Sequence, residues 1–132
     1  IENFHIPMLI WSPGNIEPAV IKTLSSQIDV GPTLLALLNF SYRSKFFGHD
    51  ILHDGPSHQR AFMANYQSVG YLEHGTLIEL RPQRRWRAVD GESGKEIPAN
   101  AAALKSLDEA VSYYQSASEA YRTGTLSAPE KK

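Results

Sequence analysis

Between residues 61 and 89 the hydrophobic pattern repeats every two residues, and this feature constrains the fold more than any other. Strand-like runs at 61–66, 68–72 and 76–80 precede a fourth alternating run at 85–89. A period of two is typical of half-buried β-strands. The segment Glu73-His74-Gly75 between two of the runs is typical of a tight hairpin turn. The sequence therefore predicts an antiparallel meander of three or four strands.

A helix is predicted after the meander. Asn100 is a favourable N-cap and Gly124 a favourable stop, so we expect the helix over 100–123. Apolar residues recur along it at spacings that fall on one helical face, and we expect this face to pack on the sheet. The expected stripe consists of Leu104, Leu107, Val111, Tyr114 and Tyr121.

The segment before the meander predicts a strand and a helix. A nearly continuous apolar run at 4–11, strongest over 6–11, ends at a Ser-Pro-Gly turn signal, as expected of a strand buried in a parallel sheet. Asp29 or Gly31 as N-cap and Pro32 in the first turn predict a helix over 29–38. This helix is apolar all round, so we expect it to be buried.

The chain has 132 residues, enough for one domain or part of a larger one. We expect an α/β subdomain over 1–124, with a βα unit and an ordered loop at 1–58, the meander at 59–97 and the packing helix at 100–123. Residues 125–132 are expected to form a flexible tail. Because the sequence starts at Ile1 without a signal-peptide pattern, we expect an excised piece of a longer protein.

Composition excludes several classes of function. There are no cysteines, so disulfides, thiolate nucleophiles and cysteine zinc sites are excluded. The net charge of −1 lacks the basic footprint of a nucleic-acid binder, and no nucleic-acid partner is expected. No apolar run reaches the roughly 18–20 residues that span a bilayer.

The loop after the predicted helix holds the nearest approach to a metal site. His49 and Asp50 are followed closely by His53 and Asp54, and imidazole and carboxylate groups are common ligands of divalent ions. These residues lack the HExxH spacing that makes a zinc site recognisable. A solvated loop remains the alternative interpretation, so the four residues are weak candidates.

No nucleophile or phosphate-binding loop is evident. The chain has no GxSxG elbow, Walker A loop or GxGxxG motif. Thr33 lies in the first turn of the predicted helix, where a hydroxyl usually supports local hydrogen bonding rather than catalysis.

One cluster of positive charge lies at 81–87. Arg84, Arg85 and Trp86 at its centre are weak candidates for binding a phosphate or a lipid headgroup. If this stretch is a strand, the arginines alternate with the tryptophan and occupy only the solvent face. Both interpretations remain open.

Four blocks in order resemble the C-terminal part of the sulfatase-like catalytic domain of the alkaline phosphatase superfamily. They are HIPMLIWSPG, SQIDVGPTLLALL, FFGHDIL and RAFMANYQSVGYLEHGTLIEL. The branch they resemble most is that of the phosphoglycerol transferases, including lipoteichoic acid synthase. The resemblance covers about the first 80 residues, and the most specific block spans 25–38.

This resemblance implies a doubly wound α/β domain in which Mn²⁺ or Zn²⁺ activates a threonine nucleophile. In the family the nucleophile and the metal ligands precede the segment that matches 4–11, so no catalytic residue and no cofactor are expected in this chain. His49 and Asp50 lie after the SQIDVGPT block and do not match the family's Asp-His metal pair. Ser25, Asp29 and Thr33 are expected to support the active-site floor, with Asp29 satisfying N–H groups at the helix start.

The resemblance implies a segment of a metal-dependent phosphoglycerol or related phospho-group transferase, inactive by itself, that acts on lipid or glycan substrates. A sulfatase, a phosphoethanolamine transferase or a non-catalytic binding module are the alternatives. Expected partners are the N-terminal remainder of the catalytic domain, anionic lipid headgroups and, for the isolated chain, a second copy. The expected location is the extracytoplasmic face of a bacterial membrane, reached through an anchor in the parent protein.

Overall fold

The computed structural model describes residues 4–54 and 58–127. A short 3-10 helix, Gln27–Asp29, leads directly into the first α-helix, and a sheet and a long second helix follow. In chain order the elements are α1 (Val30–Leu37), β1 (Arg60–Ala64), β2 (Val69–Glu73), β3 (Thr76–Arg81), β4 (Arg85–Asp90), β5 (Glu96–Ile97) and α2 (Ala101–Arg122).

The five strands form one antiparallel sheet in the order β1-β2-β3-β4-β5. The predicted meander is therefore confirmed. Its central hairpin is the predicted one, because Glu73 pairs with Thr76 across a two-residue loop. His74 and Gly75 both have positive φ in that loop (47° and 75°), as a type I′ turn requires. Strand β5 was not predicted, since two residues are too few to show a period.

Helix α2 covers one face of the sheet and forms the core with it. The row of residues facing the helix follows the strand register, and within it Tyr71, Ile78 and Ala88 are almost completely buried. Ala103 and Ala110 of α2 pack against this row. Asn100 caps the helix as predicted, since its side-chain oxygen accepts a hydrogen bond from the N–H of Ala103 at 2.9 Å.

The predicted stripe is only partly the face that meets the sheet. Leu107 packs against the core, and the hydroxyl of Tyr114 donates to the carbonyls of Met63 and Gly70. Leu104 and Tyr121 are 46% and 82% exposed, so the prediction for these two residues is wrong. The fully buried positions are instead Ala103, Ser106 and Ala110. Small residues let the helix approach the sheet closely, and the large side chains of the sheet then fill the space between them.

Residues 4–11 do not form the predicted strand. This stretch contains no strand, and Leu9 and Trp11 are 88% and 80% exposed. A strand requires a neighbouring strand for its backbone hydrogen bonds, and no strand of the described sheet pairs with this segment. Its apolar composition is therefore not matched by burial.

Helix α1 is also less buried than predicted. Only Pro32 and Thr33 are buried, whereas Leu34 and Leu38 are 39% and 65% exposed. An apolar helix is buried only where another surface covers it, and the described sheet is covered by α2 instead. The expectation of complete burial is therefore wrong for this structure.

The second helix ends as predicted at Gly124, which has a φ of 69°. The N–H of Thr125 donates to the carbonyl of Ala120 at 3.0 Å, and Lys45 donates to the carbonyls of Thr125 and Ser127. Of the expected flexible tail, residues 128–132 lie outside the described residues, as do 1–3 and 55–57. No helix within the described ranges has the length and apolarity needed to cross a bilayer.

We predict that Ala110→Leu destabilises the chain by about 1–3 kcal/mol, because Ala110 is completely buried between α2 and the sheet. The matched variant Ala102→Leu lies on the exposed side of the same helix and should change stability by no more than about 0.5 kcal/mol. Urea unfolding followed by circular dichroism measures both. Equal effects would contradict the packing of α2 described above.

Candidate functional site

Asp29 and Arg60 form a buried ion pair between the first half of the chain and the sheet. Their side chains are 2% and 4% exposed. The two guanidinium nitrogens of Arg60 donate to the two carboxylate oxygens of Asp29 at 3.0 and 3.1 Å. This is the bidentate geometry that makes an arginine–carboxylate pair both strong and specific in orientation. The pair joins the start of α1 to the first residue of β1.

Backbone N–H groups complete the coordination of the Asp29 carboxylate. The N–H of Ser26 donates to it at 2.8 Å and the N–H of His49 at 2.9 Å. The contact with Ser26 is local, because the turn of the 3-10 helix places the N–H of Ser26 next to the carboxylate of Asp29, three residues later. Asp29 is the N-cap residue of α1, as predicted, but its carboxylate accepts no hydrogen bond from that helix and instead satisfies the N–H of Ser26 at the start of the preceding 3-10 helix.

Gly48 permits the second of these contacts. A Cβ at this position would overlap the backbone carbonyl of Ile28, so only glycine lets the two backbones lie this close. The following residue, His49, can then present its N–H to Asp29. The glycine of the FFGHDIL block therefore serves the ion pair.

Thr33 makes a second connection between the same two segments. Its hydroxyl donates to the carbonyl of Asp29 at 2.7 Å and accepts from the N–H of Ile51 at 3.0 Å. Both hydrogen-bonding roles of the hydroxyl are thus used within the fold. Ser25 lies next to this region and lines a small cavity with Asp29 and Arg60.

Arg60 is held on several sides. It donates to the carbonyl of Phe47 at 3.1 Å, and its guanidinium carbon lies 5.1 Å from the ring centre of Phe62 and 5.9 Å from that of Tyr113. These distances are in the range of cation–π contacts. Its Nε atom is buried and has no hydrogen-bond partner among the described residues. The adjoining cavity of about 10 Å³ is close to the space of a single water molecule.

The pair is ionised at neutral pH. Burial by itself raises the pKa of Asp29, but hydrogen bonds from Arg60 and from the N–H groups of Ser26 and His49 outweigh it and hold the pKa below its usual range. Burial by itself lowers the pKa of Arg60. The hydrogen bonds to Asp29 outweigh this effect and raise the pKa above its usual value. Two compensated charges of this kind fix a geometry and leave no free acid or base.

The imidazole rings of His49 and His58 stack beside the ion pair. Their centres are 4.2 Å apart and their planes differ by 21°. Burial, followed by the nearby charges of Arg60 and His58, lowers the pKa of His49. The ring of His49 is therefore neutral at physiological pH and packs against its neighbours without a repelling charge.

The four weak metal candidates of this loop do not form a cation site. His53 bonds to Asp50 on an exposed surface, and the N–H of Leu52 donates to the same carboxylate at 3.0 Å. Within residues 4–54 and 58–127, no group of three or more histidine, aspartate or glutamate side chains is arranged to hold a metal ion. The described residues therefore do not fit the Mn²⁺ or Zn²⁺ that the resemblance implies.

The arginine cluster is divided between paired and unpaired side chains. Arg81 and Arg87 both bind the carboxylate of Glu79, at 2.9 Å each. Trp86 points to the opposite face of β4 and packs against the core. Arg84 and Arg85 are exposed, and no ion pair with another described residue engages them.

Sequence reasoning singled out Asp29 and Thr33 but missed Arg60 and Ser26. The available signal was a lone arginine at the first position of a strand whose next residues are apolar, since a buried charge needs an opposite charge nearby. What the sequence could not indicate was which carboxylate that partner is, because 31 residues separate the two.

Comparison with known proteins gives two matches. The sulfatase family model matches residues 2–40. The crystal structure of a protein in the alkaline phosphatase superfamily from Vibrio parahaemolyticus aligns with 80% of this chain at 25% identity and a TM-score of 0.62. The chain covers 26% of that structure, about a quarter of its length. The comparison with curated proteins finds no match.

Together these matches support a relationship of the chain to the alkaline phosphatase superfamily. The sulfatase match ends at residue 40 and so includes Asp29 and Thr33. The ion pair therefore connects the sulfatase-like part of the chain to the antiparallel sheet. The predicted α/β fold class is confirmed by the structural neighbour.

We predict that Asp29→Asn destabilises the chain by about 3–5 kcal/mol, because it leaves the buried charge of Arg60 without its counter-ion. The double variant Asp29→Asn with Arg60→Met removes both charges but keeps a side-chain oxygen for the N–H groups of Ser26 and His49, so it should recover part of the loss. Glu119→Gln breaks an exposed pair with Arg122 and should have little effect. Urea unfolding compares the three, and a small effect of Asp29→Asn would refute the role assigned to the pair.

We also predict that stability falls in acid in two separate ranges. Because the pKa of His49 is lower in the folded state, its contribution is complete above about pH 6.5 and is lost as pH falls through the folded pKa. The contribution of Asp29 is complete above about pH 3.9 and is lost at lower pH.

Urea midpoints measured between about pH 7.5 and about pH 5 test the upper range. His49→Gln should reduce the dependence there, whereas His5→Gln, at an exposed position, should leave it unchanged. A dependence that persists in His49→Gln would assign the effect to another group.

Proposed function

We propose that this chain is a structural segment of a metal-dependent phosphoglycerol or related phospho-group transferase of the sulfatase family. It would act at the extracytoplasmic face of a bacterial membrane, on lipid or glycan substrates. In this proposal the nucleophile and the metal ligands come from residues outside the chain. The chain itself contributes a rigid support and is inactive alone.

The observation that carries the proposal is the buried network around Asp29. Asp29 and Thr33 lie inside the range matched by the sulfatase family, and the oxygen atoms of both side chains are hydrogen-bonded within the fold. A carboxylate with five hydrogen-bond donors and a threonine hydroxyl that both donates and accepts are suited to positioning and not to reaction. This supports a scaffolding contribution by the part of the chain that resembles sulfatases.

The apolar surface of residues 4–40 supports the proposed association with the remainder of a catalytic domain. Leu9, Trp11, Val20 and Leu38 are each at least 65% exposed, and they lie in the range of the family match. Apolar side chains exposed in such number within one segment support the proposal that another part of a domain covers them. We propose that the rest of the parent domain covers it, and that an isolated chain covers it with a second copy.

Manganese or zinc would be held by the parent domain. Among the described residues of this chain, no set of three or more histidine, aspartate or glutamate side chains is arranged to bind a metal ion. Such an ion would shield phosphate charge and lower the pKa of an attacking hydroxyl. The contribution of the present chain to that chemistry is indirect. Asp29 and Arg60 would keep α1 and the loop at 47–51 in place against the sheet.

A phosphodiesterase assay on the 132-residue chain with added Mn²⁺ or Zn²⁺ tests the proposal, using bis(p-nitrophenyl) phosphate as substrate. We expect no turnover above the buffer rate. Turnover that is lost in His49→Asn with Asp50→Asn would overturn the proposal and assign the chemistry to that loop. The intact mass of the sample, measured alongside, excludes a longer contaminating species.

The reading frame upstream of Ile1 provides a second test of the proposal, one that can give a positive result. The proposal expects it to encode a threonine nucleophile, acidic and histidine metal ligands, and spanning helices. A frame that starts at Ile1 would refute the proposal and favour a binding module. Assays of the longer protein with phosphodiester and sulfate-ester substrates separate a phospho-group transferase from a sulfatase.

A further inference from the structure

Three parts of the molecule have chemistry that the proposed function does not use. They are the stacked histidines, an open groove of about 480 Å³ beside α2, and the end of the sheet that holds the unpaired arginines. The groove carries no indication of what would fill it. The end of the sheet with the arginines combines several independent features, and the following inference is built on it.

We infer that one end of the sheet, here called the arginine end, is a contact site for a membrane surface rich in anionic phospholipid. The arginine end consists of the loops 65–68 and 82–84, the adjoining strand ends and the C-terminal turn of α2. The inference goes beyond the proposed function, since it requires no transfer reaction and concerns this chain's own residues.

The strand register brings the two loops together. Loop 65–68 joins β1 to β2 and loop 82–84 joins β3 to β4, while β2 and β3 are neighbours with Val69 opposite Leu80. Adjacent strands are about 5 Å apart, so the two loops lie within a few strand spacings of each other. Tyr66 in the first loop is fully exposed.

Helix α2 runs towards the same end. Ser106 donates to Glu73 at the far end of β2, whereas the hydroxyl of Tyr114 donates to the carbonyl of Gly70 at 3.0 Å near its beginning. Seven residues later, about 10 Å further along the helix, Tyr121 is 82% exposed. Two exposed phenol rings thus lie at the end that also holds the arginines.

Charge at this end is incompletely compensated. Arg81 and Arg85 are directly paired across β3 and β4, an arrangement in which like charges destabilise a sheet. The single carboxylate of Glu79 serves both Arg81 and Arg87, which leaves Arg85 and Arg84 for an external anion. The other carboxylate of this end, Glu119, is paired with Arg122, so the phosphates of a lipid surface would supply the counter-charge that Arg84 and Arg85 lack within the described structure.

The backbone conformation of loop 82–84 also favours a role for Arg84 outside the fold. Gln83 and Arg84 both have positive φ, of 62° and 58°, a conformation that glycine or asparagine adopts more readily. An arginine at such a position adds backbone strain and gains no ion pair within the described structure. Its charge therefore serves something other than the stability of the hairpin.

The shape of this end favours a surface over a small ligand. The arginines lie on a projecting hairpin, and neither of the two cavities described above, at 23–60 and beside α2, is lined by them. Small molecules bind in concave sites, whereas tyrosine and arginine side chains around a projection suit the interfacial region of a bilayer. The acidic residues Glu73, Asp90 and Glu92 lie at the opposite end, which favours one orientation on an anionic surface.

Partitioning of the 132-residue chain onto vesicles tests the inference. The chain should bind vesicles of phosphatidylcholine with phosphatidylglycerol and not vesicles of phosphatidylcholine alone, and added salt should weaken the binding. Each arginine near an anionic surface contributes roughly a fivefold factor, so Arg84→Gln with Arg85→Gln should lower the partition coefficient on the order of 30-fold. The matched control Lys95→Gln with Lys105→Gln removes the same charge at the opposite end and should have a much smaller effect.

A third variant separates binding from folding. Arg84→Gly relieves the positive φ, so it should keep or raise the urea midpoint while lowering the partition coefficient roughly fivefold. Equal losses in the arginine and lysine pairs, or no binding to phosphatidylglycerol vesicles, would overturn the inference. Displacement by inorganic phosphate beyond that by sodium chloride of equal ionic strength would show a free-phosphate site and overturn the membrane contact. The inference and the proposed function can fail separately, since none of these measurements involves turnover.

Discussion

The contact between Asp29 and Arg60 holds the first half of this chain against its sheet. One carboxylate engages the start of the 3-10 helix through Ser26, the loop through His49 and the sheet through Arg60. Without it, α1 and the loop would lose their main polar connection to the sheet, and several of their apolar side chains, such as Leu34 and Phe46, are exposed and contribute little packing. A buried charge pair gives orientation as well as attraction, since a bidentate arginine tolerates few alternative geometries.

This geometry also explains why the SQIDVGPT block resembles a functional motif without acting as one here. An aspartate and a threonine four residues apart look like candidates for chemistry, but both are buried and hydrogen-bonded within the fold. The block lies in the range matched by the sulfatase family model, and the structural neighbour is a protein in the alkaline phosphatase superfamily. A motif can therefore mark a family through its structural residues alone.

Local patterns predicted the second half of the fold well. The alternation over 61–89, the His74-Gly75 turn and the Asn100 cap each depend on near neighbours in the sequence, and all three are confirmed. Patterns that depend on distant partners were less informative. The apolar run at 4–11 predicted a strand, yet pairing depends on which other strands are present.

The candidate site was predictable in part, for the same physical reason. Asp29 and Thr33 stood out because they lie in a recognisable helix start, whereas Arg60 acquires its role only when the chain folds back across 31 residues. The docking face of α2 was predicted only in part, with Leu107 and Tyr114 correct, because hydrophobicity was weighed without side-chain size. The buried positions are alanine and serine, which allow close approach and contribute little to an apolar pattern.

The chain thus consists of two parts that differ in how they are held. The sheet and α2 share a continuous core, while residues 26–51 attach to it mainly through one polar network at the edge strand β1. Such a division predicts separate cooperative units, with the attached part opening at lower free energy than the core. Amide protons of α1 would then exchange with solvent while those of the central strands stay protected. Because this attachment is mainly polar, at Arg60 and at the bonds from Lys45 to Thr125 and Ser127, residues 26–51 would move away from the sheet as a unit without unfolding it.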